Sequence, residues 1–338
     1  MATTATSQDP NRDPTFRNYD AASAQRYLQH RPGYADKLIE LVISHHTSSG
    51  GDLDLVLDVG CGPGIATRSL APHFQHAIGA DPGQSMIETA RTVPCSTKSG
   101  EPITYEVCAA EALSGLSALR RFSTDGSSSV DLITAATAAH WFDMPRFWGE
   151  AAKILKPGGS VIVWCQGAAT VDPNTTPNGA KLQEFFKKFQ EETLAPYELP
   201  GNRIARELYV NLGMPWECLD RLDGDDPGLK KLLNEFDEKE FVRLEFNKDG
   251  NMAPGESFFT GGIRVDFQRI KGLLGTVSPI TRWREANKEK VEKGEIEDVM
   301  DSVIRRSKEI MEEVPEGKGR DWCDIGSGLV VLVVKKRK

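Results

Sequence analysis

The chain has 338 residues, 39% of them hydrophobic and 27% charged, which allows a substantial buried core and matches an ordinary globular protein rather than a membrane or low-complexity one. A formal net charge of −8 opposes polyphosphate and anionic membranes, and no interior basic cluster offsets it, so neither nucleic acid nor membrane is an expected partner. Six scattered cysteines without a Cys-x-x-Cys pair or a His-Cys spacing exclude a patterned zinc site and read as thiols of a reducing compartment.

Residues 1–15 are rich in Thr, Asp, Asn and Pro and are expected to be disordered, with neither a secretory signal nor an apolar anchor among them. No apolar run reaches the roughly 18 residues of a membrane span, and a cytoplasmic location is the expectation. Asp20 can cap a helix reaching about Gln29. Arg31-Pro32-Gly33 interrupts it, the helical spacing resumes in "YADKLIELVISHH", and Ser48-Ser49-Gly50-Gly51 is a turn. Short apolar runs then alternate with helical segments, the rhythm of βαβ units on a parallel sheet. Strands are expected at 55–59, 77–80, 104–108, 131–135 and 160–164, with helices near 65–70, 85–92, 111–119 and 146–155 between them. Lys156-Pro157-Gly158-Gly159 ends the last of these helices and turns the chain into the fifth strand.

From 167 to 240 the strand rhythm stops and amphipathic helical stretches appear near 181–194 and 203–212, too long for an ordinary connection and therefore read as an inserted helical cap. Strands return at 240–247 and 328–336, with helices near 263–274, 279–288 and 296–311 between them. The expected organisation is an α/β core over 16–166, the cap over 167–240, and the remainder of the core over 241–338. The closing Lys335-Lys336-Arg337-Lys338 reads as the polar end of the last strand.

The densest signal is Asp58-Val59-Gly60-Cys61-Gly62-Pro63-Gly64, a G-x-G-x-G turn directly after a strand and headed by a carboxylate. A dinucleotide fingerprint needs a small sixth residue where the helix packs on the strand, and here that place holds Ile65 or Thr67. An acidic group beside the turn repels pyrophosphate and suits an ammonium or sulfonium. The stretch resembles motif I of the class I S-adenosylmethionine-dependent methyltransferases. That resemblance implies S-adenosyl-L-methionine as cofactor, with Asp58, Gly60, Gly62 and Gly64 at its amino-acid end, Asp81 on the ribose hydroxyls, Met86 against the adenine, and Ala110-Glu111 at the adenine amino edge. Gly83 stands where many relatives have a capping Ser. The implied fold is a doubly wound, mostly parallel seven-stranded sheet of order 3-2-1-4-5-7-6, Rossmann-like, with the last strand antiparallel.

Ligands of such sheets lie at the carboxyl ends of the strands where the winding reverses, here between the first and fourth. The fourth strand runs out into "ATAAHWFD", which carries His140, Trp141 and Phe142 toward that place. This run, with Tyr27-Leu28-Gln29-His30-Arg31-Pro32-Gly33-Tyr34 and Ser278-Pro279-Ile280-Thr281-Arg282-Trp283-Arg284, resembles the trans-aconitate methyltransferase-like enzymes of fungi and bacteria, from about Phe16 onward. Val277-Ser278 and Ile280 replace the Trp-Ser and Tyr common in that group. His140 is the candidate catalytic residue, either as a base or as a pocket wall. Phe16, Tyr19, Tyr27, Trp141 and Phe142 are candidates for an aromatic enclosure, with Tyr19 placed on the cofactor. Arg31, Arg264 and Arg282 are candidate anion clamps, and Ser278 and Trp283 candidate walls of the acceptor pocket. The expected activity is O-methylation of a small organic acid or secondary metabolite, at a carboxyl or hydroxyl oxygen, by SN2 transfer. Non-methylating use of the bound sulfonium, or a non-catalytic cofactor-binding partner, are the alternatives. Oligomeric state is not readable.

Overall fold

The computed structural model describes residues 19–31, 33–221, 226–250 and 256–338. The apolar runs become β1 (Leu55–Val59), β2 (His76–Asp81), β3 (Thr104–Val107), β4 (Val130–Ala136) and β5 (Leu155–Val171), all paired parallel to one another. Later come β6 (Phe236–Phe246), β7 (Ile263–Asp266) and β8 (Trp322–Lys336). The described residues form one eight-stranded sheet of order β3-β2-β1-β4-β5-β8-β6, with β8 antiparallel to both β5 and β6. The expected order holds with β8 in the seventh strand's place, β7 is an eighth strand beyond the expected seven that pairs with β8 off this path, and the winding reverses between β1 and β4.

Side chains of β1 alternate between the two faces. Leu55, Leu57 and Val59 join Phe147, Trp148 and Ile154 on one side, and Val56 joins Leu38, Val42 and Phe74 on the other. The helices supplying these layers are α1 (Ala21–His30), α2 (Asp36–Ser48), α3 (Ile65–Leu70), α4 (Gln84–Arg91) and α5 (Met144–Ile154). Asp20 caps α1 by accepting the Ser23 N–H at 2.7 Å.

The structure corrects several expected elements. Residues 263–266 are strand, not the start of a helix: Val265 is buried between exposed or half-buried neighbours, a period of two, and the strand pairs with the first part of β8. Asp266 then accepts the Arg269 N–H at 2.7 Å and starts α10, below, at Phe267. The helix expected at 111–119 is instead two 3₁₀ turns, Ala110–Gly115 and Ser117–Arg121. Glu150 accepts the Ser114 N–H at 2.7 Å and Glu106 that of Ser117 at 2.9 Å, so side chains take amides that a continuous helix would satisfy internally.

Between β5 and β6 lie α6 (Gly179–Lys188), α7 (Pro200–Arg206), α8 (Pro215–Arg221) and α9 (Pro227–Leu233), the last two unforeseen. The helix expected at 203–212 stops at Arg206 because Leu208 and Tyr209 both take left-handed backbone, with φ of 51° and 60°. After β7 come α10 (Phe267–Leu274), α11 (Ser278–Glu292) and α12 (Val299–Glu312). No helix among the described residues is long and apolar enough to cross a membrane.

At the edge of the sheet away from the strands' carboxyl ends, a buried relay ties three elements together. His46 Nε2 lies 2.7 Å from the Asp52 carbonyl oxygen and so must carry the proton; Nδ1 therefore accepts from Ser160 Oγ at 2.9 Å, and Ser160 accepts from Lys335 Nζ at 2.8 Å. Lys336 is also buried, donating to the Ala152 and Leu155 carbonyls. The two lysines thus close the last strand. Burial holds the His46 imidazole below its ordinary pKa. With the folded value below the unfolded value of about 6.5, its contribution is complete above that pH and is lost as pH falls toward the folded value. Denaturant midpoints compared at about pH 7.5 and about pH 5.5 should drop more for the wild type than for His46→Asn; equal drops would contradict the relay.

Candidate active site

The carboxyl ends of β1, β2 and β4, the end of α1 with the residues after it, and residues of α6, α7, α10 and α11 border one cavity of about 840 Å³. That size is in the upper part of the range for small-molecule sites. On the sheet side it is walled by the glycine turn. Gly60 has φ of 65°, and a Cβ there would stand 2.6 Å from the Ala138 Cβ, so the loop after β4 packs directly on bare backbone. Gly62 has φ of 53° and borders the cavity, yet a Cβ on it would meet no protein atom within 4 Å. The protein therefore does not itself use the space beside Gly62, which leaves main chain open to a ligand. Gly64 does not border the cavity; its Cβ would strike the Tyr105 hydroxyl.

The two carboxylates divide the labour differently from the expectation. Asp58 is fully buried and absent from the cavity wall: its oxygens accept from Thr67 Oγ1 at 2.6 Å and Thr134 Oγ1 at 2.8 Å. It thus bolts β1 to α3 and β4 and has no place in the cavity wall. Burial pushes its carboxyl up to about 6. The acidic group at the bend is Asp81, which borders the cavity, accepts the Gly62 N–H at 2.9 Å and the Gly83 N–H at 2.7 Å. Its oxygens hold the turn in place and retain acceptor capacity for further donors.

Met86, Ala110 and Glu111 all border the cavity, and Glu111 accepts the Asp143 N–H at 2.9 Å, joining the third strand's exit to the fourth's. His140, Trp141, Phe142, Tyr27, Arg31 and Ser278 border it too. Tyr19 does not; its ring sits 6.5 Å from that of Tyr27. Arg264 lies outside, although its β7 neighbour Ile263 borders the cavity: it is 62% exposed, pairs with Asp324 at 3.0 Å and stacks on Trp322. Trp283 does not border the cavity but packs behind Leu194 and Ile280, which do, and Arg282 is spent on the Tyr197 carbonyl and Asn202. Phe16 and Pro32 fall outside the described residues.

Sequence reasoning missed Arg206, Asn202 and the apolar pair Phe186 and Phe189, which also border the cavity. Arg206 ends α7 and pairs with Glu198 at 3.1 Å. Its Nε is buried without a hydrogen-bond partner, and so is that of Arg31, whose Nη2 reaches the Thr276 carbonyl at 3.4 Å. Nothing in the local spacing of 203–212 distinguishes Arg206 from a solvated helix residue; only the left-handed stop after it turns this segment toward the site.

Residues 57–163 match the family model described as a methyltransferase domain. A methyltransferase homologue from Dictyostelium discoideum is 31% identical over 207 residues, spanning 60% of this chain and 70% of its own. The chain belongs to the class I S-adenosylmethionine-dependent methyltransferases. CRG1 of Saccharomyces cerevisiae, named as an S-adenosylmethionine-dependent methyltransferase, is 27% identical over 298 residues, covering 87% of this methyltransferase and 89% of CRG1. A solved type II methyltransferase from Anaeromyxobacter dehalogenans shares the fold, with TM-score 0.53 and 20% identity over 91% of this chain and 97% of that one. S-adenosyl-L-methionine is accordingly the cofactor, and the open space at Gly62 beside the Asp81 carboxylate fits it.

Two isosteric substitutions separate the carboxylates. Hydrogen bonds to a charged group are worth about 1.5–3 kcal/mol, so Asp81→Asn should weaken S-adenosylmethionine binding about tenfold or more by calorimetry. Asp58→Asn should leave that affinity within about threefold, since it has no place in the wall; the reverse ranking would overturn the division of roles.

Proposed function

We propose that this methyltransferase esterifies a carboxylate oxygen of a small organic acid or secondary metabolite. The observation that carries the reading is the pair of guanidinium groups, Arg31 and Arg206, that border the cavity with Nε atoms buried and unpartnered. A buried donor left without an acceptor is costly, and a planar carboxylate satisfies a guanidinium fork better than any neutral group. Both arginines come from outside the β1–β3 exits, leaving the glycine turn, Asp81, Met86, Ala110 and Glu111 to the cofactor. Tyr27, Trp141 and Phe142 complete an aromatic enclosure whose faces favour a cation.

When bound, S-adenosylmethionine supplies an electrophilic methyl: an acceptor oxygen lone pair forms the O–C bond as the C–S electrons return to sulfur, leaving S-adenosylhomocysteine and a methyl ester. A carboxylate is already ionised near neutral pH, so this chain's residues need only orient it in line and exclude water, with no proton to remove. Val277, Ile280, Phe186 and Phe189 supply apolar wall for the body of the acid. The resemblance to the trans-aconitate methyltransferase-like enzymes supports an acid acceptor, while Val277 and Ile280 favour one less polar than a tricarboxylate.

Incubation with methyl-labelled S-adenosylmethionine and a panel of carboxylic acids and phenols should give label that mild alkali releases, the mark of an ester. Arg206→Gln should raise the acid's KM about tenfold or more with a smaller effect on kcat. Alkali-stable methyl ethers formed from phenols alone would overturn the carboxylate reading.

A further inference from the structure

His140 borders the cavity, but the group that governs its ring does not. Tyr209 is 1% exposed and lies behind the wall, with its hydroxyl 3.0 Å from His140 Nδ1. It is held there by an unusual backbone. Leu208 and Tyr209 are consecutive left-handed residues, a conformation disfavoured for side chains with a Cβ. From β6, Arg243 donates through Nη2 to the Leu208 carbonyl at 2.7 Å and through Nη1 to the Tyr209 carbonyl at 3.3 Å. A chain of contacts thus runs from the sheet edge through Arg243 and the left-handed pair to the phenol, and from the phenol to the histidine.

Burial holds the phenol well above its ordinary pKa, so it stays protonated and has one proton to give. Among the described residues, the imidazole nitrogen and the Cys165 sulfur are acceptors within its reach. A thiol sulfur is a weak acceptor, and the Cys165 S–H is itself directed at the Gln166 and Ala205 carbonyls, at 3.4 and 3.7 Å. A bond from the phenol to Nδ1 is the stronger choice, and it requires the ring proton to sit on Nε2.

We propose that Tyr209 is a positioning residue that locks His140 as the Nε2–H tautomer, so that the ring acts as a hydrogen-bond donor toward an anionic acceptor and not as a general base. The donor role rests on the carboxylate reading above; the tautomer does not, and the two can be tested apart.

Long-range ¹H–¹⁵N spectra of the full chain, with His140→Gln to assign the resonances among six histidines, report the tautomer without any acceptor present. The wild type should show Nδ1 as an unprotonated nitrogen and Nε2 as a protonated one. Tyr209→Phe, which keeps the ring and removes the hydroxyl, should mix the tautomers and lower kcat roughly 10- to 100-fold, the scale seen when the second partner of a metal-bound histidine is removed. KM for S-adenosylmethionine and the melting temperature should stay close to wild type. Arg243→Gln should produce the same spectral change with the phenol intact. A wild-type ring protonated on Nδ1, or a Tyr209→Phe variant with unchanged spectrum and kcat within about twofold, would overturn the assignment. The expected tautomer in a protein that methylates only hydroxyls would leave Tyr209's role standing and overturn the carboxylate reading instead.

Discussion

Everything at the cofactor end of this molecule depends on holding a left-handed glycine turn still between β1 and α3. Gly60, Gly62 and Gly64 all have positive φ, and a bend of three such residues gains little from side-chain packing of its own. Two carboxylates supply what the turn lacks. Asp81 grips the Gly62 amide from the end of β2, while Asp58 ties β1 to α3 and β4 through two threonine hydroxyls. With the ionised form of Asp58 disfavoured by burial, both hydroxyls are needed as donors. The turn is thereby preorganised, and the open space beside Gly62 requires no rearrangement to receive a ligand.

The opposite half of the cavity is built on another principle. There the wall comes from helices between β5 and β6 and after β7, and it combines apolar side chains with guanidinium groups whose Nε atoms find no partner. Polar groups left unsatisfied in a native wall point to something that satisfies them in use. Glu198 balances part of the charge on Arg206, keeping that side chain in place without consuming its Nε. His140 in the same cavity wall is contacted from behind by the Tyr209 phenol, which fits the proposed arrangement of donors round an anion.

The fold was legible because its signals are local. Alternating apolar runs, a glycine turn after the first of them and Lys-Pro-Gly-Gly at the start of the fifth specify strand order and polarity once a doubly wound sheet is recognised. Asp81, Met86, Ala110 and Glu111 were readable for the same reason, each lying at a fixed offset from a strand end. The placement of Asp58 needed the third dimension: its position in the motif says nothing of two threonines, nine residues away on α3 and across the sheet on β4. Arg264 was misread because four residues of strand preceding a helix look like its first turn. Arg206 was missed because its meaning comes from a left-handed stop that propensity does not foretell. Residues that border the cavity from strand ends were legible, and residues brought to it by packing between distant segments were not.

Calorimetric titration of the wild-type protein with S-adenosylmethionine, followed by NAD on the same preparation, tests the central claim most directly. Uptake of one S-adenosylmethionine per chain with no heat from NAD is the result expected of an acidic, glycine-lined bend. Binding of NAD, or no uptake of the sulfonium compound by folded protein, would contradict it.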